Sequence, residues 1–228
     1  AHLSWSPENC DLAQMPFSPS ELYKRAAYRY GKERPHVQNA RSIPTPDDCA
    51  QGDALVKALN FPDGAVLDFL REPVVNHRGA TITPFIKDGA PAAVVVNPTS
   101  SAKSIPLQGK AKHLTLLHCL NYLQENYGKN TDRKDDYKNS IPGTYVLHFA
   151  DGSSAKLPMR FRYTVNDWND WMPASFADPG LFGVLNGDVH VNIPTYTWDN
   201  PHPEKELKRL EILPGNNKKM TLALLGLT

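Results

Sequence analysis

The stretch TYVLHFADGSSAKLPMRF, residues 144–161, constrains the fold more than any other part of the chain. Tyr145, Leu147 and Phe149 alternate with Val146 and His148. That period of two sends one set of side chains to a core and the other away from it. Asp151-Gly152 then supplies a tight turn that needs a positive φ, and AKLPMRF runs back as the second strand of a hairpin. A chain written this way builds antiparallel sheet.

The rest is punctuated alike. Twenty prolines and fourteen glycines are spread along 228 residues, cutting the apolar segments into short runs. ATITPFIK alternates, PAAVVVNPT is a run bounded by prolines, and SIPLQGKAKHLTLLHCL reads as two strands around Gly109. ALNFPDGAVLDFL reads as β with a Pro-Asp-Gly turn, and VHVNIPTYTW, KELKRLEILPG and KKMTLALLGLT close the chain. One short helix is predicted within SPSELYKRAAYRYGK, capped by Ser18 or Ser20 and stopped at Gly31. QENYGKNTDRKDDYKNSIPG is a polar excursion. The expected fold is all-β: a two-sheet, jelly-roll-like β-sandwich over residues 53–228, preceded by an irregular extension over 1–52.

A net charge of +1 provides no field for nucleic acid or an anionic membrane. No apolar run approaches the roughly 18–20 residues that span a bilayer, and no signal peptide is visible. Neither nucleic acid nor a membrane is therefore an expected partner. Cys10, Cys49 and Cys119 match no zinc spacing. Cys10 and Cys49 lie in irregular segments, where a disulfide is one reading and free thiols are the other. Cys119, in an apolar run, reads as a buried thiol.

The loop TVNDWNDW gathers two of the four tryptophans among Asn and Asp. Flat aromatic faces stack on the C–H face of a sugar ring while polar neighbours take its hydroxyls. Trp168 is the candidate platform, with Asn166, Asp167 and Arg162 as hydrogen-bonding groups. Trp171 is the candidate core plug, and Trp198 a further candidate contact. A core role for either loop tryptophan, with its ring N–H on a loop carbonyl, is the alternative.

IPLQGKAKHLTLLHCL, PGTYVLHFADGSSAKLPMRFRYTVNDWNDW and YTWDNPHPEKELKRLEIL, in that order, resemble a jelly-roll domain of the galactose-binding-like type. Such carbohydrate-binding modules are attached to secreted bacterial glycoside hydrolases and polysaccharide lyases. The resemblance covers residues 53–228 and departs from the pattern twice. Thr115 and Leu116 stand where an aromatic is expected, and Arg162 stands where Gly is expected before the Trp loop. It implies a secreted or periplasmic, non-catalytic module that binds polysaccharide or braces a neighbouring catalytic domain. It also implies a structural Ca²⁺, for which Asp47, Asp48 and Asp53 are the local candidates, although their spacing fails the EF-hand pattern.

Two other readings stay open. A glycan-active enzyme needs two carboxylates roughly 5–9.5 Å apart, and the loops offer Asp167 with Asp170 and Asp178 with Asp188. A structural interdomain module needs an exposed apolar patch instead. A histidine site has less support. His113 and His118 are an odd number apart and so face opposite ways on one strand, and GSS at 152–154 is no nucleophile elbow.

Overall fold

The computed structural model describes residues 40–76, 78–122, 141–170, 174 and 176–228. The predicted helix at 18–32 and most of the polar excursion lie outside these.

The chain folds as an all-β sandwich of two antiparallel sheets, with a separate two-stranded sheet beside them. In chain order the elements are β1 (Ala50–Gln51), α1 (Asp53–Leu59), a 3-10 turn (Asp68–Arg71), β2 (Val74–Val75), β3 (Thr81–Ile82), β4 (Ile86–Lys87), β5 (Ala90–Val96) and β6 (Lys103–Pro106). They continue with β7 (His113–Tyr122), β8 (Gly143–Phe149), β9 (Ser154–Pro158), β10 (Asp178–Leu185), β11 (Val189–Asp199), β12 (Leu207–Pro214) and β13 (Met220–Leu227). The larger sheet runs β1-β5-β13-β7-β11-β10, with β4 also on β5. The smaller runs β6-β12-β8-β9.

The larger sheet is buried on both faces, and β7 shows why its sequence reads as a continuous apolar run. Leu114, Leu116, Leu120 and Tyr122 enter the core between the sheets, beside Tyr145, Leu147, Phe149 and Trp198. Leu117 and Cys119 enter a second core on the other face. That outer core is covered by α1, the 3-10 turn and the β2–β3 hairpin.

Here the β reading of residues 54–70 is corrected. Leu55 and Leu59 lie one helical turn apart and are fully buried. Asn60 at φ 51 caps the helix in the left-handed region, with its N–H on Lys57 O. A sheet apolar on both faces needs such a cover, and this short segment supplies it.

The hairpin forms as its sequence dictates. Phe149 N–H donates to Ser153 O at 3.0 Å, and the Asp151 carboxylate accepts both the Ser153 N–H and its hydroxyl. Gly152 takes φ 88. A Cβ there meets nothing within 4 Å, so the cost of Gly152→Ala is conformational only. Its urea midpoint should fall by the equivalent of about 1 kcal/mol at unchanged m-value.

Candidate functional site: the loop between β9 and β10

The loop from Met159 to Ala177 carries the residues that the sequence singled out. It begins with a tight turn in which Arg160 O accepts the Tyr163 and Thr164 N–H groups. The Thr164 hydroxyl accepts Arg160 N–H at 2.9 Å. Arg162 sits in this turn at φ 63. The left-handed region favours glycine over other residues. Arg162 takes that conformation and places Nη2 2.8 Å from Asp170 Oδ2.

The next residues enter the larger sheet. β11 pairs with β7 only from Thr195 to Asp199, and above that point the two strands separate. Asn166–Trp168 fills the gap. Leu120 N–H donates to Asn166 O at 2.8 Å, and Trp168 N–H donates back to Leu120 O at 3.0 Å. On the far side, Asn192 N–H of β11 donates to Trp168 O at 2.7 Å. The segment is a short parallel insert, bonded along both edges.

This insertion fixes where each candidate points. Trp168 is 5% exposed and lies in the outer core. Its indole N–H donates to Leu59 O at 2.8 Å, and the ring meets Phe61 edge-on at a centroid distance of 4.7 Å. The expected stacking platform is thereby corrected, because the ring is enclosed and the polar edge anchors the end of α1. Trp198 is 1% exposed in the inter-sheet core, so it offers no ligand face either. Trp171 lies outside the described residues.

Asn166 and Asp167 are also buried, which corrects their assignment as ligand-binding groups. Asp167 Oδ2 accepts Tyr122 N–H at 3.1 Å, and Oδ1 accepts Asn169 N–H. The carboxylate thus ties the loop to the end of β7. Burial pushes its pKa up to about 7, assisted by nearby Asp170 and opposed by the backbone donors. Asp170 is buried as well, and its backbone O accepts the Asn192 side-chain amide. Both carboxylates of the Asp167 and Asp170 pair are therefore largely buried. Asp178 is buried while Asp188 is exposed.

Beneath the loop lies His118. It is fully buried, with Nε2 2.9 Å from Thr164 O and Nδ1 3.2 Å from the Tyr145 hydroxyl. A neutral imidazole satisfies both, donating from Nε2 and accepting at Nδ1. Burial lowers its pKa to about 4. His113 faces the other way, as the odd spacing requires, and its Nδ1 is 2.8 Å from Asp199 Oδ1. The same oxygen accepts buried Arg78 at 3.1 Å, which secures the β2–β3 hairpin.

The metal and disulfide candidates separate. Asp48 pairs with Lys103 at 2.7 Å, the Asp47 backbone O accepts Lys87 Nζ, and Asp53 opens α1. Among the described residues, no group of three or more His, Cys, Asp or Glu is arranged to hold a metal. Cys49 has its sulfur 3.1 Å from Pro46 O, and Cys10 lies outside the described residues.

Two features escape the sequence reading. Tyr163 and Phe176 stack at 6.2 Å with an interplanar angle of 23°, both half-buried, while the Arg162 guanidinium lies 5.7 Å from the centroid of the Phe161 ring. Phe176 N–H donates to Tyr163 O. The β10–β11 hairpin is the other feature. The Asn186-Gly187 pair, both at positive φ, was its available signal. Compared with protein-family models, curated proteins and solved structures, the chain matches none.

Proposed function

We propose that this chain is a non-catalytic, carbohydrate-associated module of a secreted polysaccharide-processing protein. Its ligand contact is the outer rim of the β9–β10 loop rather than Trp168 or Trp198. The observation that carries the reading is the grouping of Arg162 with the Tyr163–Phe176 pair. A partly exposed guanidinium is held on a buried carboxylate, and the residue that follows it in the chain begins a pair of stacked, half-buried rings. Rings of this kind suit the C–H face of a sugar, and a fixed guanidinium suits its hydroxyls or a uronate carboxylate. The enclosed state of Asp167 and Asp170 favours binding over hydrolysis.

Affinity electrophoresis through gels containing plant, algal and microbial polysaccharides tests this. The native protein should be retarded by at least one polymer. Tyr163→Ala should weaken that affinity about tenfold while keeping the native near-UV spectrum. Arg162→Lys keeps the charge but loses the planar fork, so it should weaken retardation by acidic polymers more than by neutral ones. Retardation unchanged in Tyr163→Ala, or none by any polymer, would overturn the reading.

A further inference from the structure

Edge strands expose unpaired backbone, and natural sheets guard them with charge, proline or brevity. Most outer strands here follow that rule. β6 carries Lys103 and Pro106, β9 carries Lys156, and β1 and β4 are two residues long. β10 is guarded only at its start, where Asp178, Pro179 and a bulge stand. It ends the larger sheet and pairs only with β11 among the described strands. Past its buried Asp178 and the bulge at Asp178–Leu181, the run LFGVLNG carries no charge at all.

The two faces of this strand differ. Leu181 and Leu185 enter the outer core, and a Cβ on Gly183 would press into the Phe69 ring. On the opposite face Phe182 is 64% exposed and Val184 48% exposed. They lie across from Asn192 and His190 of β11. An exposed aromatic and an exposed β-branched residue thus flank one glycine on the part of the edge past those guards.

That arrangement is self-complementary. If two copies align β10 antiparallel with Gly183 opposite Gly183, each Phe182 faces the Val184 of the other copy. Aromatic and β-branched side chains are favourable cross-strand partners, and a two-fold axis makes the same contact twice. We infer that β10 is a homodimer interface, joining two larger sheets edge to edge across Gly183. The occupant is a second copy because the strand matches itself in both shape and absence of charge. The regular part of the edge is short, so the contact belongs to the small, concentration-dependent class. It does not depend on the carbohydrate reading, since none of Arg162, Tyr163 and Phe176 belongs to β10.

Sedimentation velocity of the full chain over a wide concentration series tests this. The native protein should move from one chain mass toward two as concentration rises. Phe182→Lys and Val184→Lys, both at exposed positions, should each hold it at one mass with unchanged circular dichroism. Combining Phe182→Lys with Val184→Glu should restore the dimer, because the register sets each new ammonium against a carboxylate of the partner copy. A native protein that stays monomeric throughout, single variants that still dimerise, or a double variant that stays monomeric would each overturn the inference.

Discussion

Trp168→Ala should cost about 3–5 kcal/mol of unfolding free energy, the range for removing a buried large aromatic. The ring fills the outer core against Phe61, and its N–H satisfies a carbonyl at the end of α1. Against a total stability of roughly 5–15 kcal/mol, the melting temperature should fall by about 10 °C or more. Trp168→Phe separates the two contributions. It keeps much of the apolar contact but leaves Leu59 O without its donor, so it should cost about 1–3 kcal/mol. Denaturant titrations of both variants check this. A loss below about 1 kcal/mol for Trp168→Ala would mean that the ring is not the packed, bonded group described here.

The second large effect is a pair of opposed pH dependences. His118 is neutral when folded down to about pH 4 and titrates near 6.5 when unfolded. Between those values the unfolded chain holds the extra proton, so this histidine makes stability rise with pH. Its contribution is complete above 6.5 and is lost as pH falls toward 4. Asp167 works the other way. It keeps its proton when folded up to about pH 7 but loses it near 3.8 when unfolded. Its contribution is complete below 3.8 and is lost as pH rises through 7.

Each slope is about 1.4 kcal/mol per pH unit, and in the native protein the two largely cancel. Asp167→Asn removes one of them. Its stability relative to native should therefore rise with pH across this window, by on the order of 3 kcal/mol. His118→Gln should show the opposite trend, gaining relative to native as pH falls. Urea midpoints at several pH values resolve both difference curves. Parallel curves for native and variants would contradict the assigned burial of the two groups.

How far the sequence could be read depended on what each signal encodes. The β8–β9 hairpin was legible because alternation and Asp-Gly act locally, and the faces of Tyr145, Leu147, Phe149 and His148 came out as the period of two required. The opposite faces of His113 and His118 followed from parity alone. α1 was not legible as helix, because seven residues hold only one apolar repeat and the reason for burying it is a sheet face contributed by distant strands. The Trp loop was misjudged for a related reason. Asn and Asp in a loop normally face water, but here the backbone of Asn166–Trp168 completes a sheet between β7 and β11, strands far apart in the chain. That pairing turns a polar string into a buried insert.

Asn166–Trp168 is part of the sheet, and amide hydrogen exchange tests that most directly. The N–H groups of Leu120, Trp168 and Asn192 donate across the two edges of the insert, and Tyr122 N–H donates to buried Asp167. All four should exchange only through global unfolding, with the same free energy as the neighbouring amides of β7. Exchange of these amides through a low-energy local opening, while the rest of β7 stays protected, would show the loop to be a mobile surface element and would contradict the account.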